Sequence, residues 1–154
     1  MTEAFTSNQL MEILTRMPDP RQTKFSDLWD GFISKIFSSI RDVSAAGIFH
    51  LESGTLLVKT PAFNAQAGEL EDIVDRFDDL DGLYGEGVTI NGENFKVRLA
   101  DGRFGILART GFRGCSVCKT FSLLIVGVHD ERGKGAKCNE LVMRIGDYFF
   151  RKGL

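Results

Sequence analysis

An α+β domain, with helices layered around an antiparallel sheet, is the fold class this sequence predicts, and three observations predict it. Apolar spacings of three to four residues and of two residues fall in separate blocks, in the order helix, two strands, helix, several strands, helix. The strand blocks are bounded by Gly or by charged turns, and Asn91-Gly92 is the strongest hairpin signal because both positions tolerate positive φ. The length of 154 residues, 43% hydrophobic and 26% charged, is that of one globular domain with a core of its own.

Residues 1–24 read as an extension, cut off by Pro18-Asp19-Pro20. Within it Leu10, Ile13, Leu14 and Met17 share one helical face, and Thr6 with Gln9 has capping-box spacing. Such a short helix is marginal alone in water and needs a surface to lie on. Residues 26–41 predict a second helix with Leu28, Trp29, Phe32, Ile33, Ile36, Phe37 and Ile40, more apolar side chains than one buried stripe requires. Strands follow at 43–50 and 55–59, joined by Glu52-Ser53-Gly54. A helix over 67–80 sets Leu70, Ile73, Val74 and Phe77 against a run of carboxylates that reads as a solvated face. Period-two strands come next at 87–90, 95–99, 103–109, 115–120 and 122–128, and a helix over 138–152 stops at Gly153.

The formal net charge of −2 hides a segregation: residues 1–86 carry 15 acidic and 7 basic side chains, residues 87–154 carry 6 and 12. No basic start leads into an apolar stretch, and the longest uncharged apolar run, 123–128, is strand-sized, so neither export nor membrane spanning is indicated. Cys115, Cys118 and Cys138 are an odd count that suits reduced thiols inside a cell.

Catalysis has little support. His50 and His129 are the only histidines, and no nucleophile motif accompanies either. The spacing Cys115-x-x-Cys118 suggests a metal or redox pair, but in a strand an odd separation points the two thiols to opposite faces. Two surfaces remain. Trp29, Phe32 and Tyr148 would make a flat aromatic platform of the kind that takes Pro-rich segments, although aromatics at helical spacing are more often core. Arg109, Arg113, Lys119, Lys134 and Lys137 would make an anion-binding patch, with scattered surface cations the commoner explanation.

The closing stretch Cys138-Asn139-Glu140-Leu141-Val142-Met143-Arg144-Ile145-Gly146-Asp147-Tyr148-Phe149-Phe150-Arg151-Lys152-Gly153-Leu154 resembles the last helix of the profilins. Ser44-Ala45-Ala46-Gly47-Ile48 with Gly54-Thr55-Leu56-Leu57 resembles their first hairpin, residues 87–95 their middle hairpin, and Lys119-Thr120 leading into 123–127 their central strand. The resemblance covers residues 25–154 and leaves the extension outside it. It implies a central antiparallel sheet with the N- and C-terminal helices on one face and a further helix on the other.

It also implies surfaces. Trp29, Phe32 and Tyr148, with Ile145 beside them, match the family's poly-proline groove, while Leu57 stands where a Trp is usual. Phe63, Arg109, Lys137 and Asn139 match the actin-facing side, with Leu107 in place of a basic residue often found nearby. Arg109, Arg113, Lys119, Lys134 and Lys137 would meet inositol-lipid headgroups. The implied protein is a non-enzymatic, cytoplasmic regulator of the actin cytoskeleton, without cofactor or metal. Its partners would be monomeric actin, proline-rich proteins such as formin-type assembly factors, and phosphoinositides, with no nucleic acid. The extension, which the resemblance does not cover, would dock near the aromatic groove through Leu10, Ile13, Leu14 and Met17 and compete there with Pro-rich ligands. A ligand-sensing or membrane-trafficking adaptor of similar architecture is the alternative, distinguished by a buried pocket in the sheet.

Overall fold

A computed structural model describes residues 7–39, 43–101, 104–130 and 135–154. Among them seven strands form an antiparallel sheet: β1 Ala45–His50, β2 Thr55–Lys59, β3 Val88–Ile90, β4 Glu93–Ala100, β5 Gly105–Thr110, β6 Arg113–Lys119 and β7 Leu123–His129. Their order is β2-β1-β7-β6-β5-β4-β3. Strand β7 lies between β1 and β6 and every one of its residues is buried, which is why it is written as an uninterrupted apolar run rather than in alternation.

Helices cover both faces. On one side α4 (Ala67–Arg76) and α5 (Leu80–Glu86) press Leu70, Ile73 and Leu83 onto Phe49, Phe95 and Val117. The other side carries α1 (Ser7–Arg16) and a helix built from α2 (Phe25–Leu28), a π-helical turn (Trp29–Ile33) and α3 (Ser34–Ser39). The last helix, α6 (Gly135–Arg151), completes this layer over Ile48 and Ile125. It rides very close to the sheet: a Cβ on Gly127 would sit 2.7 Å from Val142, and one on Gly146 would sit 2.2 Å from Cys118 Sγ. Only hydrogen fits at those two positions.

Local chemistry explains the turns. Asn91 and Gly92 adopt φ of 51° and 77°, as a two-residue hairpin loop demands. The predicted helix over 67–80 ends at Arg76, and a second helix that was not predicted, α5, follows it, started by the Asp79 carboxylate, which accepts the Gly82 N–H at 3.0 Å. The predicted capping residue Thr6 and the end of the 26–41 helix lie outside the described residues. Cys115 packs in the α4 layer and Cys118 in the α6 layer, so alternation separates them as expected. No described helix is long and apolar enough to cross a membrane.

Candidate functional site

The aromatic face is built by two neighbouring helices. At the π turn the Trp29 N–H donates to the carbonyls of Phe25 and Ser26, and the wider turn contains both Trp29 and Phe32. Helix α6 contributes Ile145, Tyr148 and Phe149, with Phe25 stacked on Phe149 at 5.4 Å. Trp29, Phe32, Ile145 and Tyr148 thus fall in one packed cluster, as the sequence reading groups them. Their exposure differs from a bare platform. Trp29 is only 6% exposed and Ile145 is fully buried, while Phe32 and Tyr148 are half-buried.

The cover is the extension. Leu14 and Met17 of α1 and the turn after it are buried in this same cluster, and Pro20 a few residues on is buried as well. Between α1 and α6 a cavity of about 430 Å³ remains, reached by Leu14, Met17, Arg144, Tyr148 and Lys152. The Tyr148 ring meets Phe149 edge-on at 5.4 Å, and Lys152 Nζ lies 5.8 Å from its centre. Its hydroxyl is buried with no hydrogen-bond partner among the described residues. Burial first, and the Asp19 carboxylate second, raise its pKa above the ordinary phenol value. Leu57 is 38% exposed on edge strand β2.

A second, open surface lies where β4 and β5 meet the start of α6. Arg109 pairs across β6 with Gly114, whose Cβ would strike the His129 ring, so Arg109 faces the α6 side. Asn139 lines a cleft there with Leu99, Leu107 and Met143, and Lys137 lies two residues earlier on α6, 3.8 Å from Glu140. Lys96 stands directly opposite Arg109, and Arg98 is the extra residue of a β-bulge beside them. These three cations form no ion pair among the described residues. Lys96 and Arg98 escaped the sequence reading, although alternation against buried Phe95 and Val97 marks both as outward; the register with β5 is not encoded locally.

Other expected groupings separate. Phe63 is 1% exposed and its ring lies against Gly47, where a Cβ would sit 2.6 Å away, so it is a core side chain and offers no surface here. Arg113 and Lys119 occupy the two ends of β6 on the α4 side, about 20 Å apart at strand spacing, one bridged to Glu93 at 3.0 Å and the other over the Phe77 ring. The five expected lipid contacts therefore do not form one patch, and Lys134 lies outside the described residues. An aromatic group the sequence did not signal, Phe150 stacked on Phe121 and edge-on to Phe104, stays open on the other flank of α6. The cysteines offer no chemistry at the surface: burial pushes the Cys115 thiol far up and the Cys118 thiol to about 12.

Comparison with known proteins extends this picture. The Profilin family model matches residues 27–154. Among solved structures, Acanthamoeba castellanii profilin IA aligns at 21% identity and TM-score 0.73, over 82% of this chain and 99% of that one. A Schizosaccharomyces pombe profilin aligns at 17% and 0.73 over the same shares. Mouse profilin IIa, solved in complex with a double repeat from the FH1 domain of mDia1, aligns at 17% and 0.60, over 73% of this chain and 89% of that one.

Proposed function

Because the chain belongs to the profilin family, with the family model spanning residues 27–154, we propose that it binds monomeric actin with one face and proline-rich ligands with another. The observation that carries this reading is the convergence of Trp29 and Phe32 from the π-helical turn and Tyr148 from α6 into one cluster. A polyproline II segment has no internal hydrogen bonds and presents flat rings and free carbonyls, which suit aromatic faces and a hydroxyl donor. Tyr148 supplies such a hydroxyl. The similar mouse profilin IIa, in complex with an FH1 double repeat, supports a formin-type ligand.

Actin would meet the β4–β5–α6 face through Arg109, Lys137 and Asn139, with Lys96 and Arg98 adding positive charge. Two cations opposed across a strand pair repel, and an acidic partner relieves that repulsion. Inositol-lipid headgroups would compete at Arg109 and Lys137. No bond is made or broken in this mechanism. One domain holds actin while its other face is tethered to a Pro-rich chain, and the tether raises the effective concentration of actin at the assembly site. The reading places the protein in the cytoplasm, with the cytoskeleton.

Trp29 is the only tryptophan and reports on the groove. Titration with poly-L-proline to millimolar concentration should change its emission saturably. Tyr148→Ala should remove the response, and Phe121→Ala, on the other flank of α6, should leave it. A flat signal both in the wild type and in a variant with α1 undocked overturns the poly-proline reading.

A further inference from the structure

Residues 7–22 lie outside the matched family region and sit on the face that the proposed function assigns to proline-rich ligands. We infer that this segment is an intramolecular lid, with α1 and the Pro18-Asp19-Pro20 turn competing with proline-rich ligands for the Trp29–Tyr148 face. The inference rests on the poly-proline reading and adds a regulation to it.

Four observations carry it. Leu14 and Met17 are 1% and 7% exposed, belong to the same buried layer as Trp29, Ile145 and Tyr148, and line one cavity with Tyr148, so the segment is packed onto α6 beside the aromatic face. Trp29, at 6% exposed, offers a ligand almost no surface in this closed arrangement. The Tyr148 hydroxyl is shut away from solvent with no hydrogen-bond partner among the described residues, a donor that the closed state leaves unused. The cavity of about 430 Å³ between α1 and α6 shows that the lid fits this surface less tightly than the rest of the layer fits the sheet.

The lid is also built to open. A ten-residue helix is marginal alone, and α1 is held by a few side chains rather than by strand pairing. Its one described intrahelical ion pair, Arg16 to Glu12, is solvent-exposed and contributes little to holding it down. A ligand then binds with an affinity reduced by the fraction of molecules that are open.

The test uses the full chain with Leu14→Asp and Met17→Asp together, which keeps the domain core and charges the docking face of the lid. Free Trp29 emission should shift red, and the dissociation constant for poly-L-proline should fall by about tenfold, the change expected when an open tenth of the population becomes nearly all of it. Hydrogen exchange on the wild type gives a second readout: saturating poly-L-proline should deprotect amides of residues 7–17 while those of β7 stay protected. If the variant keeps native β7 protection, exposes Trp29 and binds no tighter than wild type, the lid is overturned and the poly-proline reading survives. Should it expose Trp29 and bind no poly-L-proline at all, the groove reading fails and the competition with it. Ligand saturation that leaves 7–17 as protected as before overturns the lid even if the variant does not fold.

Discussion

Cys118 shows how tightly one residue can be constrained from both sides of a layer. Its sulfur lies where any Cβ on Gly146 would have to be, so the spacing of α6 from β6 is set by a thiol meeting a hydrogen. The same burial raises its pKa from 9.0 to about 12. A thiol that keeps its proton more tightly when folded contributes stability in full below pH 9, where both states are protonated. Between pH 9 and 12 the unfolded chain releases that proton and the folded one retains it, so stability is lost as pH rises. Cys115, raised in the same direction by complete burial, adds to this loss. Urea midpoints measured from pH 8 to 11 should therefore fall, and fall less in Cys118→Ala than in the wild type. Parallel declines in the two proteins would show that the thiol is not titrating from a buried state.

At the scale of elements, the acidic helix is more than a solvated face. Glu69 accepts the backbone N–H of Gln66 at 2.9 Å and, with both oxygens, those of Asn91 and Gly92 at 2.8 Å each. One carboxylate thus caps α4 and pins the β3–β4 turn, two elements 22 residues apart. Asp72 and Glu86 hold Arg76 between α4 and α5, and raise its pKa by those hydrogen bonds. Hydrogen bonds to a charged group are worth about 1.5–3 kcal/mol when buried, and Glu69 is half-exposed, so Glu69→Ala should cost about 2 kcal/mol by urea unfolding. Asp75→Ala, at an exposed position of the same helix, should stay within about 0.5 kcal/mol. Equal effects would return the whole run to a solvated face.

For the whole molecule, the near-neutral total resolves into opposite sides. The carboxylates of α4 and α5 lie over one face of the sheet, and Lys96, Arg98, Arg109 and Lys137 gather on the other. If that basic face meets actin, wild-type protein should slow spontaneous assembly of pyrene-labelled actin, and Arg109→Glu with Lys137→Glu should abolish the slowing. The wild-type effect should weaken between 0.05 and 0.3 M salt, roughly the range over which the screening length shortens past the spacing of exposed charges. A double variant that sequesters actin as well as the wild type would remove these residues from the contact. Poly-proline binding should be unaffected by it, since the aromatic cluster lies on the far flank of α6.

An amphipathic period is a local property, so the layers could be read from residues alone: the order of helices and strands, the Asn91-Gly92 turn, the opposite facing of Cys115 and Cys118, and the grouping of Trp29, Phe32 and Tyr148 were all legible. Two local features were missed, the start of α5 at Asp79 and the π turn under Trp29, since each depends on which backbone N–H finds a carbonyl or carboxylate. How completely each apolar face is covered emerges only from packing between distant segments. The motif around Phe63 looks like a surface contact until its ring is seen against Gly47. The cations named along the late strands look like one patch until register puts Arg113 and Lys119 behind the sheet and brings Lys96 opposite Arg109. That the extension would lie near the aromatic groove was expected from its apolar face, but that Trp29 is only 6% exposed there was not. Burial is a relation between segments distant in the chain, and no window of residues contains it.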